Sequence, residues 1–347
     1  MREKGLGPDH PDTATSLNNL GALLQAQREL VAARPYLERA LAVWEKKLGP
    51  DHPDTATSLD HLASLSRSQG RYAEAIPLYR RVLALETCRL GADHADTLGT
   101  MNALAQALFN QGEIAAARQL QEQLLATHQR LHGPEHDATL ISMNNLAKQS
   151  LLAQGELGRA RQMLEQVLAA RRQRQGAQHL STLIAMHNLA DVLRAQGELA
   201  AARALLEEAL PSLRQTQGEE HGRTLNSLYT LAEVLRAQHD LAAARPLLTQ
   251  VVTARQRLLG VQHPDTTVAA HALWTLLHRL GEAEAADSVA RTALEWLREA
   301  EVDRMTVEVR RIREQVLQQR GSGVSPQEAD ADPARSTADV PLAPTAR

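Results

Sequence analysis

The chain has 347 residues, 43% hydrophobic but only 2% aromatic, so leucine, alanine and valine must fill its interior, a composition suited to close helix packing rather than to sheets. A formal net charge of -3 with Lys and Arg scattered along the chain leaves no basic block for nucleic acid or an anionic membrane. The single cysteine, Cys88, permits no internal disulfide, and no apolar run approaches the roughly 20 residues of a membrane span, so a soluble cytoplasmic protein is expected.

Residues 1–10 carry the turn Gly7-Pro8-Asp9-His10 and read as the remnant of a preceding repeat, so that the chain reads as a piece of a longer array. From residue 11 to residue 300 one unit recurs seven times. Turn glycines at Gly7, Gly49, Gly91, Gly133, Gly176, Gly218 and Gly260 step by 42 residues, once by 43, and a histidine follows each by three: His10, His52, His94, His136, His179, His221 and His263. Each turn is followed by a threonine and then by an apolar series at helical spacing, as in Met101, Leu104, Ala105 and Leu108. Proline at the first helical position forgoes only an N–H without an intrahelical partner, and the aspartate beside it meets the positive helix end.

A second turn, Gln69-Gly70 in the second unit, leads to a second helix with one small residue at a fixed place: Ala33, Ala75, Ala117, Ala160, Ala202, Ala244 and Ala286. A side chain that small lets two helices approach closely. Pro35, Pro77 and Pro246 are expected near the beginning of these helices, where a missing donor is tolerated. One hairpin cannot cover its own apolar face, whereas stacked hairpins share a continuous core. The predicted fold is all-α, a right-handed superhelical α-solenoid of seven helix hairpins plus a C-terminal capping helix, with the first helices lining the inner surface.

Three places break the pattern. The fourth first helix, within Met143 to Gln154, holds one extra residue, which predicts a π-bulge. Trp274 stands where the other units have Gly21, Ala63, Ala105, Ala147, Ala190 and Ala232, so the seventh unit is expected to close differently. From Val302, the residues Met305, Val309, Ile312 and Val316 follow heptad spacing, which makes residues 301–320 a capping helix or a coiled coil that dimerises the protein. Residues 321–347, rich in Pro, Ser, Ala and Asp, have little to bury and are expected to be disordered.

The residues offer little chemistry. Seven of the fourteen histidines are the loop histidines, each a whole hairpin from the next, whereas metal ligands must lie within about 2 Å of one ion. They read as turn and helix-start residues. There is no HExxH, GxxxxGK[ST] or GxSxG motif, Cys88 falls in a second helix, and the pairs Glu207-Glu208 and Glu219-Glu220 read as solvated charge. No catalytic residue, metal or cofactor is expected.

Function should lie on the inner face. Counted from the turn glycine, the inward positions are Asn18, Asp60, Asn102, Asn144, His187, Tyr229 and His271. A turn later come Gln106 and Lys148, and beyond them Arg67, Phe109, Arg194 and Arg236. A carboxamide both donates and accepts, so a row of asparagines can hold a peptide backbone whatever its sequence. The arginines and Lys148 could meet acidic groups of a ligand, though Asp191 before Arg194 and Glu233 before Arg236 are placed to neutralise them. Asn19, Asn145 and Asn188, one residue further on, read as contacts between helices, and Phe109 as either a ligand anchor or a core residue.

The segments LGPDHPDTATSLNNLG (Leu6 to Gly21) and LGPDHPDTATSLDHLA (Leu48 to Ala63) resemble the 42-residue tetratricopeptide repeats (TPRs) of kinesin light chains and their bacterial and fungal relatives, over about residues 6 to 300. The resemblance implies that Asn18, Asn102 and Asn144 clamp peptide backbone, while Asp60 and His187 depart from that pattern. The expected function is a non-catalytic protein-protein interaction scaffold that binds a protein or peptide segment in the groove. The alternatives are the sensor or regulatory region of a larger signalling protein with an NTPase or other effector module, and a structural protein that forms a homodimer through residues 302–316. The heptad region through which kinesin light chains join their heavy chain has no counterpart here, so motor-adaptor activity does not carry over.

Overall fold

The computed structural model describes residues 7–300 and 305–322. The expectations for residues 1–6, 301–304 and 323–347 lie outside the described residues. Among those described there is helix and turn but no strand. The first helices of the repeat are α1 (Pro11–Ala26), α3 (Pro53–Ser68), α5 (Ala95–Gln111), α7 (Asp137–Asn145), α9 (Leu180–Ala195), α11 (Gly222–Ala237) and α13 (Pro264–Arg279). The second helices are α2 (Leu30–Lys47), α4 (Tyr72–Leu90), α6 (Ile114–His132), α8 (Leu157–Gln175), α10 (Leu199–Gln217), α12 (Leu241–Leu259) and α14 (Ala283–Val289). A last helix, α15, spans Val307–Ser322.

The chain divides into two compact units between Gln154 and Gly155. In the first, α1 to α7 pack in sequence order, each helix against the next, and α1 also touches α3. In the second, α8 to α14 do the same, and α15 lies on α13. Contacts limited to neighbours are what a solenoid requires, because each hairpin leaves one apolar face for the next to cover.

Each boundary of the unit has a local cause. The loop histidine is the N-cap of every first helix, its Nδ1 accepting from the backbone N–H two residues on, at 3.1 Å for His10 and 3.2 Å for His52. The threonine three residues later is buried in every repeat and in the first five donates its hydroxyl to the turn glycine's carbonyl, Thr55 to Gly49 at 2.8 Å and Thr139 to Gly133 at 2.7 Å, whereas the Thr224 and Thr266 hydroxyls make no such bond. The glycine itself adopts φ 91° and ψ 161° at Gly91, a region closed to other residues. No atom lies within 4 Å of where a methyl would stand there, so backbone conformation rather than space requires the glycine. Gly21 is the converse: a methyl there would meet Leu37 at 2.6 Å, so its smallness lets α1 close onto α2.

The small residues Ala33, Ala75, Ala117, Ala160, Ala202, Ala244 and Ala286 are all completely buried. Pro35, Pro77 and Pro246 fall inside their helices, at the sixth residue rather than in the first turn, so each removes one backbone hydrogen bond. On the second helices an arginine reaches the following repeat, Arg34 to Glu74 at 2.7 Å and Arg245 to Glu282 at 2.9 Å.

The irregular positions have structural outcomes. A π turn, Leu146–Leu151, continues α7 where the extra residue falls. Trp274 is buried, and its partner helix α14 is short, giving way to a π turn at Ala290–Leu294 and a 3-10 turn at Glu295–Arg298. The seam residues Met305, Val309, Ile312 and Val316 are all buried within one chain.

Candidate functional site

In the first unit the row begins with Asn18, which is only 3% exposed. Its Oδ1 accepts from Ser58 Oγ at 3.1 Å and lies 3.1 Å from His61 Nδ1, so one carboxamide bridges α1 to α3. Two turns further along α1, Gln25 Nε2 donates to Ser64 Oγ at 3.0 Å. The next rung joins α3 to α5, Arg67 donating to Gln106 Oε1 at 3.2 Å and to the Tyr79 hydroxyl at 3.3 Å. A third joins α5 to α7, where Asn145 Nδ2 donates to Asn102 Oδ1 at 3.3 Å.

Asp60 lies between these rungs, half-buried and with no hydrogen-bond partner among the described residues. Burial pushes its carboxyl above the usual range against the pull of His61 and Arg67, and burial likewise lowers the neighbouring His61. Both border a depression of about 630 Å³ with Ala22, Gln25, Arg28 and Ser64. Asn102 is exposed, whereas Asn144 and Lys148 are half-buried, Lys148 on the π turn. Phe109 leans on the core cluster of Tyr79, Leu108 and Ala117.

The second unit repeats the pattern with other side chains. His187 faces Ser227 Oγ through Nδ1 at 3.2 Å and Asp191 through Nε2 at 3.4 Å, and Thr230 donates to Asp191 Oδ1 at 3.0 Å. Asp191 thus pairs with His187 and the next helix rather than with Arg194, which is exposed. Glu233 and Arg236 do pair, at 2.8 Å. Tyr229 lies with its ring 5.4 Å from the Arg255 guanidinium, which in turn donates to Asn226 Oδ1 and to the Asp265 carbonyl, both at 2.8 Å. Burial, with Glu233 and Glu308 adding to it, raises the Tyr229 phenol. His271 and His278 flank the Trp274 ring at 5.7 and 4.9 Å.

The row is therefore a set of rungs between first helices of successive repeats, from which polar groups remain over. Ser64, on the same row as Gln106 and Lys148, belongs to it; Ser58, Ser227 and Thr230 complete it and were not legible as site residues, although a hydroxyl or small residue recurs at the place of Ser58 (Thr100, Ser142, Ala185, Ser227). Arg255, on a second helix, gave no sequence signal. No helix among the described residues is long and apolar enough to cross a membrane, and none of their His, Cys, Asp and Glu side chains group in threes to hold a metal ion.

Known proteins resemble the chain in the same terms. The tetratricopeptide repeat family model matches residues 12–87, 96–173, 148–215 and 223–299. No curated protein matches. Among solved structures, the kinesin-light-chain repeats of Podosopora anserina are 30% identical over 58% of this chain and 94% of theirs, with a TM-score of 0.49. RapI in its apo form is 12% identical, with a TM-score of 0.63 over 87% of this chain and 99% of its own. NprR, solved in complex with its cognate peptide NprX, is 15% identical, with a TM-score of 0.61 over 87% and 80%. The last two share the fold. With the matched segments spanning most of its length, the chain belongs to the tetratricopeptide repeat family.

Proposed function

We propose that this chain is a non-catalytic, cytoplasmic interaction scaffold whose first-helix rows hold a segment of a partner protein. The observation that carries this reading is the polar row itself. Successive first helices are cross-linked by hydrogen bonds, which fixes the side chains before any ligand arrives, while the exposed Asn102 and Arg194 and the unpartnered Asp60 remain to meet one. The exposed carboxamide of Asn102 suits the backbone of a partner, and the exposed Arg194 adds a site for a carboxylate, whereas Arg67 and Arg236 are engaged within the row. The peptide bound by NprR, a protein of like fold, supports the class of ligand.

Screening a displayed random-peptide library against the full chain tests it. Peptides enriched on the wild-type chain should lose at least about tenfold in affinity with Asn102→Ala or Arg194→Ala, about 1.4 kcal/mol, while the thermal midpoint stays put. Enrichment that survives both substitutions, or no enrichment at all, would refute the reading.

A further inference from the structure

Two successive rungs of the first unit differ in what fills them. Between α3 and α5, Arg67 reaches Gln106 at 3.2 Å and the Tyr79 hydroxyl at 3.3 Å. One 42-residue step earlier, the places of Arg67, Gln106 and Tyr79 hold Gln25, Ser64 and Leu37, each a shorter side chain. Gln25 still meets Ser64 at 3.0 Å, but the rung contains no guanidinium. Beside it opens the depression of about 630 Å³, within the range of about 300–1,000 Å³ usual for ligand clefts. It lies between α1 and α3, on the face of α1 that Asn18 and Gln25 already tie to α3, so both of its walls are helices of the described chain.

The polar groups bordering this depression are mainly acceptors. Asp60 has no hydrogen-bond partner among the described residues, because Arg67, the cation near it, donates to Gln106 and Tyr79 instead. The Oδ1 of Asn18 can only accept, so His61 Nδ1, 3.1 Å from it, carries the ring proton. Burial lowers His61 against the pull of Asp60 and so favours the neutral ring, whose Nε2 is then an acceptor. Gln25 spends its Nε2 on Ser64 and keeps Oε1 as an acceptor, while the Ser68 hydroxyl is given to the Ser64 carbonyl at 2.9 Å. Arg28, the one arginine among the lining residues, is exposed on the turn after α1. A half-buried carboxylate with two neutral acceptors beside it suits a charged group that only donates.

We propose that this depression receives the side chain of an arginine carried by the partner segment, its guanidinium meeting Asp60 and the acceptors beside it. The neighbouring rung supplies the precedent, since there the chain's own Arg67 occupies the equivalent place. A guanidinium fits better than an ammonium because it has five N–H donors in one plane, no acceptor, and a weaker hold on water. At the place of Asp60 the next repeat has the neutral Asn102, so carboxylate and open volume coincide in the first rung and not in the second. The inference rests on the reading of the first-helix rows as a peptide site and names one residue of the peptide.

Fluorescence anisotropy on the full chain with four mixtures of labelled nonapeptides tests this. Each mixture is random in Ala, Gly, Ser, Asn and Leu around a central Arg, Lys, citrulline or Glu. The arginine mixture should bind most tightly, and the lysine and citrulline mixtures at least about tenfold more weakly. Asp60→Asn should bring the arginine mixture down to the citrulline level. Gln25→Arg, which supplies from α1 the guanidinium that Arg67 supplies from α3, should do the same, and neither substitution should lower the thermal midpoint. Unlabelled free L-arginine should compete far less well than the peptides; equal competition would overturn the assignment to a peptide. Tightest binding by the glutamate mixture, equal binding by all four, or arginine binding that survives both substitutions overturns the proposal while the displayed-library result still stands for the scaffold. No binding by any mixture overturns it as well, and the scaffold reading falls with it only if the library also enriches nothing.

Discussion

Replacing Asn18 by alanine should separate its two roles in the row. The side chain is nearly inaccessible, and its Oδ1 serves both Ser58 Oγ and His61 Nδ1 at 3.1 Å. Each net hydrogen bond contributes about 0.5–1.5 kcal/mol, and Ser58 is left completely buried without its acceptor, so Asn18→Ala should cost about 2–3 kcal/mol. Asn102 differs: it is exposed, and its one rung to Asn145 is 3.3 Å long, so Asn102→Ala should cost less than about 0.5 kcal/mol. Urea denaturation of both variants, with hydrogen exchange read at α3 amides, measures the difference; a local loss is expected because neighbouring repeats unfold with some independence. A cycle with Ser58→Ala isolates the pair, where a coupling of about 1 kcal/mol is expected. Equal costs for Asn18→Ala and Asn102→Ala, or a coupling near zero, would show that the rung does not hold α1 to α3.

Two further substitutions probe the repeat and its row. Thr55→Val keeps the shape but removes the hydroxyl that closes the turn onto Gly49, and should cost about 1–2 kcal/mol by denaturant titration; no loss would make the bond incidental. Asp60→Asn should stabilise the protein at neutral pH, by less than about 1 kcal/mol since the group is only half-buried. The sign follows from burial: a carboxyl whose folded pKa is raised binds its proton more tightly in the folded state, so stability is fullest below the unfolded value and declines as pH rises through the folded one. The gain from asparagine should therefore vanish below about pH 4, as thermal melts across pH would show.

The site was half legible from the order of residues. Counting from the turn glycine found Asn18, Asp60 and Asn102 on one face, and the pairing of Glu233 with Arg236 followed from their three-residue spacing, as observed at 2.8 Å. The same count misread Asp191, whose partner Thr230 lies 39 residues on. It also divided Asn18 and its neighbour Asn19 into binding and packing roles, whereas the buried residue is Asn18 and Asn19 is exposed. One residue is about 100° of helix rotation, so which of two adjacent asparagines turns toward the next repeat depends on how two helices cross.

The period, the helix ends and the fold class could be read from the sequence by itself because each has a cause within a few residues: a glycine that alone tolerates its turn, a histidine that caps, a threonine that ties back, and apolar residues every third or fourth place. Only the tertiary structure decided which polar side chains join across repeats, that Phe109 leans on the core, that Trp274 accompanies a shortened α14, and that α15 covers α13. These depend on distances between groups some forty residues apart, which packing sets and no local preference encodes.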